Sequence, residues 1–146
     1  MHDIETVDVP QANSLDKVGD LLALVSAGVD RKESLVEQLG LVAREIDYYK
    51  HAARILGFAE NKTTGFTITE AGESYLRAIR PSEQRAILSD AVRSAKIFSE
   101  LMKECGEADL TRENVASFLV RRTTLNATTA HRRADTILAW LETTAP

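Results

Sequence analysis

Cysteine is almost missing from this chain. Cys105 is the only one in 146 residues, which excludes an internal disulfide and any multi-cysteine zinc site. Aromatic residues are scarce at 5%, and charged residues reach 27%, a balance ordinary for a soluble helical protein. Only three prolines and seven glycines punctuate the chain, which leaves room for long helices. No apolar run approaches the roughly 20 residues that a membrane-crossing helix needs. The opening MHDIETVDVP is acidic and does not read as a signal peptide, so the expected setting is the cytoplasm. Glycine-rich phosphate loops are missing too. His2, His51 and His131 are scattered, without metal-ligand spacing. A restriction-type nuclease core needs clustered acids and a lysine on adjacent strands to hold Mg²⁺, and no such strands are legible. The chain is therefore expected to be no enzyme and to need no cofactor or metal.

The residues that are present can build a core, since 44% are apolar. The length suits one domain or two very small ones. The formal net charge of −4 hides an asymmetry. Residues 1–38 carry Asp3, Glu5, Asp8, Asp16, Asp20, Asp30, Glu33 and Glu37 against Lys17, Arg31 and Lys32, which leaves the remainder slightly basic. From Asn114 to Ala134 there are four arginines and no acid. Local charge decides whether phosphates are attracted.

Periodicity predicts the elements. Residues 1–13 read as a ragged acidic lead-in. Leu15, Val18, Leu21, Leu22 and Val25 share one helix face, with Ser14 as N-cap and Gly28 as the stop. Asp30 is placed to cap a short second helix ending near Gly40, with Leu35, Val36 and Leu39 apolar. A third helix is expected over 42–56, anchored by Ile46, Tyr49, Ala53 and Leu56. Phe58-Ala59-Glu60 and Phe66-Thr67-Ile68 then read as a hairpin around a polar tip. Thr69 and Glu70 open another helix, with Ala71, Tyr75 and Leu76 inward. This order is a winged helix-turn-helix over 14–80. In 81–146 the pattern predicts one long helix from Pro81 to Glu104, a helix capped by Thr111 with Glu113 near the capping-box position, and a last helix capped by Asn126 or Thr128 and bearing Trp140. The expected fold is mainly α: a winged helix-turn-helix with a small β-hairpin, then a second helical helix-turn-helix unit.

A recognition helix anchors one face and offers polar groups to base edges on the other. On the third helix the outward set includes Arg44, Glu45, Asp47, Tyr48, Lys50 and His51. Arg44 lies at the end that usually enters the groove; the plainer reading is a solvated face. Lys62 sits at the wing tip, where a simple turn explains it equally well. The segment from Arg121 to Arg133 is more specific, with Arg121, Arg122, Thr128, Thr129, His131, Arg132 and Arg133 as candidate DNA contacts. One of Arg132 and Arg133 has an alternative role packing inward against Asp135 or Glu113.

These residues carry a resemblance. Leu35 to Gly40, Arg44-Glu45-Ile46-Asp47-Tyr48-Tyr49, Leu56-Gly57-Phe58 and Ile68-Thr69-Glu70-Ala71-Gly72 resemble the tandem winged-helix domains that accompany prokaryotic restriction endonucleases and conflict-system proteins. The likeness lies in a Tyr-Tyr recognition helix, a Leu-Gly turn and a strand closing in Ile-Thr-x-x-Gly. Arg132-Arg133, Thr136-Ile137 and Trp140 resemble the Arg-Arg…Thr-Ile…Trp signature of the second half. The resemblance implies sequence-specific recognition of double-stranded DNA on behalf of a nuclease. Two features depart from it: no wing follows the last helix, and these residues contain no nuclease core.

Two functions follow as expectations. One is a DNA-binding module, either the targeting part of a restriction or defence system or a small transcriptional regulator. The other is a protein-interaction or dimerisation module without direct DNA binding, its partner a second copy or a nuclease. In that case Ile87, Leu88, Ala91, Ala95 and Phe98 would form the seam, unless they link the two halves internally.

Overall fold

The computed structural model describes residues 2–145; Met1 and Pro146, the outermost residues of the first and last segments, lie outside it. The elements run α1 (Leu15–Ser26), α2 (Lys32–Leu39), α3 (Ala43–Ile55), β1 (Ala59–Lys62), β2 (Gly65–Ile68), α4 (Glu70–Arg77), α5 (Pro81–Ser94), α6 (Lys96–Cys105), α7 (Arg112–Arg122) and α8 (Ala127–Thr143). Single 3-10 turns cover Thr6–Asp8 and Glu107–Asp109. The architecture is mainly helical with one antiparallel hairpin: a winged helix-turn-helix followed by a second helical unit.

Local chemistry explains most boundaries. Ser14 accepts from the Lys17 amide, Thr111 from that of Asn114, and Asn126 from that of Thr129, so each satisfies an orphan donor of the helix it opens. Gly40, left-handed at φ 68°, ends α2 and lets the chain turn into α3. Asp30 does not cap α2; Arg31 takes the cap position without a side-chain bond. In α3, Ile46, Tyr49, Ala52 and Ala53 are buried against α1 and α2.

The hairpin is tighter than its composition suggested. Pairing runs from Ala59↔Ile68 to Lys62↔Gly65, leaving Thr63 and Thr64 at the tip. The Thr-x-x-Gly after β2 locks the wing to α4. Thr69 accepts from the Gly72 amide and donates its hydroxyl to the Gly57 carbonyl at 2.6 Å. Any Cβ on Gly72 would strike the Phe58 carbonyl oxygen, so only glycine lets α4 close on the strand. Tyr75 of α4 stacks on Phe58, whereas Ala71, expected inward, is exposed.

Larger expectations are corrected too. The predicted long helix over 81–104 is two helices. Ala95 is extended (φ −63°, ψ 139°), and the bend turns Leu88 and Val92 of α5 and Ile97, Phe98 and Leu101 of α6 into the same core. The stripe considered as a dimer seam is therefore internal at Leu88, Ala95 and Phe98. Residues 2–13 are not a ragged lead-in. Ile4, Val9 and Ala12 are buried, and the segment lies as an arm hydrogen-bonded to α7 and α8, with its turn at Thr6–Asp8 packed against α3. Cys105 ends α6 half-buried, and burial raises its thiol pKa. The buried apolar residues of both units belong to one cluster around Trp140, which stacks on Phe98 at 5.7 Å. Among the described residues no helix is long and apolar enough to cross a membrane.

Candidate nucleic-acid interface

Two helices and the arm converge on one groove of about 490 Å³. From α3 come Arg44 and Tyr48; from α8 come Thr129, Arg132, Arg133, Asp135 and Thr136; the arm adds Gln11 and Asn13. The candidates of the two units, far apart in the sequence, thus face one space.

The adjacent tyrosines divide their work. Tyr49 is buried, and its hydroxyl accepts from the Ser14 amide at 3.3 Å, tying α3 to the end of the arm. Tyr48 points into the groove. The arm is held just as firmly from α8. Arg133 donates from one nitrogen to the carbonyls of Thr6 (3.1 Å) and Val9 (3.0 Å). Thr136 donates to Asn13 Oδ1 at 2.6 Å, and the Trp140 indole N–H donates to the Ala12 carbonyl at 2.7 Å. The Arg-Arg…Thr-Ile…Trp pattern is therefore, in large part, the seat of the arm.

The groove is positive in an acidic chain. It is lined by three arginines and one carboxylate, and that carboxylate is already engaged: Asp135 accepts from Arg112 at 2.7 Å. Among the described residues Arg44 makes no hydrogen bond or ion pair, and Arg132 contacts only the Thr129 hydroxyl, at 3.3 Å. Burial lowers the Arg133 pKa, but arginine starts so high that the charge stays. Its neutral carbonyl partners leave that charge uncancelled, which raises the potential of the groove.

The other predicted contacts lie elsewhere. Arg121 and Arg122 are committed to carboxylates. Arg122 forks onto Asp3 with both bonds at 2.6 Å and also reaches Glu104 at 3.2 Å and Glu100 at 3.3 Å. Arg121 pairs with Glu104. The acids missing from their own stretch of sequence come from the arm and α6, and both guanidiniums are paired with them, away from the groove. Asp47 pairs with Lys32 at 2.9 Å and Lys62 with Glu60 at 3.3 Å, both exposed and weak. Lys50 lies over the Phe66 ring at 5.5 Å, joining α3 to the wing. Burial, followed by the nearby Arg54, pushes the His51 pKa below its ordinary value and favours a neutral ring; it lines a separate hollow with Asp8 and Arg54. Thr128 is exposed on the first turn of α8. His131 points both ring nitrogens at acceptors, the Ala127 carbonyl (2.7 Å) and Glu113 (3.1 Å), and these raise its pKa in that order. Neither Glu113 nor Asp135 takes an arginine of the Arg132-Arg133 pair. Gln11 and Asn13 were not foreseen, because neither charge nor helical period marks them.

The fold defines a helical domain with a wing hairpin whose two helical units share a cationic groove. The chain belongs to the family described as a domain of unknown function (DUF7226), which matches residues 17–143. No curated protein and no solved structure matches the chain.

Proposed function

We propose that the chain binds double-stranded DNA sequence-selectively through this groove and performs no chemistry on it. One observation carries the reading: arginines from both helical units, Arg44 and Arg132, stand without carboxylate partners among the described residues, beside a single groove on a chain of net charge −4. Arg44, near the start of α3, suits bidentate contact with guanine O6 and N7. Arg132 and Thr129, near the start of α8, suit phosphate. The hydroxyl of Tyr48 adds a donor to the same groove. A cytoplasmic role fits this activity, either as the targeting part of a restriction or defence nuclease or as a small transcriptional regulator.

The test is a selection on random duplexes at low salt, followed by equilibrium binding across a salt series. The reading expects an enriched sequence and an affinity that falls linearly on logarithmic axes as salt rises. Absence of any complex at low salt with a diverse duplex pool rejects it.

A further inference from the structure

The arm is fixed at short intervals. Ile4 N–H donates to the Arg122 carbonyl at 3.0 Å, Arg133 holds the carbonyls of Thr6 and Val9, and Trp140 holds that of Ala12. Over residues 10–13 no helix or strand forms, and burial alternates: Pro10 and Ala12 are buried, while Gln11 is half-buried and Asn13 exposed. Alternation along extended backbone sends successive side chains to opposite sides. Both outward residues therefore enter the groove, beside Arg44 and Arg132.

Their amides differ in what they still offer. Asn13 Oδ1 already accepts from Thr136, so the remaining capacity of this side chain is mainly its two N–H donors. Gln11 makes no side-chain hydrogen bond among the described residues, so its carbonyl and its amine are both uncommitted. Phosphate presents only acceptors and would leave the Gln11 carbonyl idle. An adenine edge presents N7 as acceptor and the N6 amine as donor, which a carboxamide matches with two bonds.

We infer that the arm is a third reading element of the groove, with Gln11 selecting adenine and Asn13 donating to an acceptor alongside. The inference rests on the DNA-binding reading above. Gln11 is a specificity residue that nothing in the charge pattern marks.

The experiment repeats the duplex selection on the full chain with wild type, Gln11→Ala, Gln11→Arg and Arg44→Ala, and records salt slope and Tm for each. For Gln11→Ala the expected result is loss of about tenfold adenine preference at one position. Salt slope and Tm stay unchanged, because no protein bond is removed. For Gln11→Arg that position shifts toward guanine. If both Gln11 variants keep the wild-type preference everywhere while Arg44→Ala alters it, the arm is only scaffolding and the inference fails, though the DNA-binding reading stands. A uniform loss across all sequences with a lowered Tm also overturns it. If wild type binds no duplex, both fall together.

Discussion

The chain contains two Arg-Arg pairs, and they have opposite fates. Arg121-Arg122 closes α7 amid carboxylates from the arm and α6, with Arg122 also 5.3 Å from the centre of the Phe118 ring. Arg132-Arg133 sits in α8 with no carboxylate partner among the described residues; one member holds the arm and the other faces the groove. The composition of the two pairs is the same. What separates them is which other segments the fold brings alongside: Asp3, Glu100 and Glu104 in one case, backbone carbonyls and the neighbouring α3 in the other. A basic run marks a nucleic-acid contact only after the acids from distant segments have been placed.

The sharpest break of this comparison is Arg133→Ala. It removes two charge-assisted bonds to a half-buried arm and leaves the Thr6 and Val9 carbonyls without that partner. We expect a loss of about 3 kcal/mol in denaturant unfolding and new protease cleavage around residues 6–9. Arg122→Ala is next, with a smaller loss of stability in the same unfolding measurement, because its carboxylate partners are exposed to solvent and exposed ion pairs contribute little. Its loss falls on stability and leaves the affinity of folded protein for duplex unchanged. The same contact has a pH signature. Hydrogen bonding from Arg122 holds the Asp3 pKa at about 2, against an ordinary 3.8. A carboxylate lowered by folding stabilises fully above its unfolded pKa and ceases to as pH falls through its folded pKa. Wild type should therefore lose arm protection between about pH 4 and pH 2, read by hydrogen exchange at the Ile4 amide. In Arg122→Ala that step should vanish.

These long-range contacts are where the sequence was hardest to read. Local signals were legible: the Ser14, Thr111 and Asn126 caps, the hairpin, and the buried face of α3 through Ile46, Tyr49 and Ala53. Each depends on residues within a turn or two of one another. The break at Ala95 carries no glycine or proline, and the apolar stripe continues across it from Leu88 to Phe98, so no local signal marks it. The arm was illegible for a related reason. Ile4, Val9 and Ala12 follow neither a helical nor a strand period, and what holds them lies more than a hundred residues away, at Arg122, Arg133 and Trp140. Of the candidate interface, Arg44, Tyr48, Thr129, Arg132 and Arg133 were visible as helix residues of the right chemistry. That they share one groove was not, because a sequence pattern does not specify how two units dock.

Arg132→Ala tests the opposite limb of the comparison. Arg132 is exposed, and among the described residues the one hydrogen bond of its side chain is to the Thr129 hydroxyl within its own helix, so Tm should hold within experimental error. Affinity should fall about tenfold, with the salt slope reduced by about 1 if the contact is to phosphate.

Arg121→Ala is the smallest expected effect and the one that decides between a site and a diffuse field. The residue is exposed and its ion pair with Glu104 is worth at most about 0.5 kcal/mol. Deleting it removes the same unit of charge as deleting Arg132. If DNA were drawn only by the general basicity of the C-terminal half, the two variants would weaken binding alike. If the groove is the site, Arg121→Ala leaves affinity and salt slope at wild-type values, because its charge is already cancelled by Glu104 and it does not line the groove. Equal losses would dissolve the distinction between the two arginine pairs, whatever their hydrogen bonds.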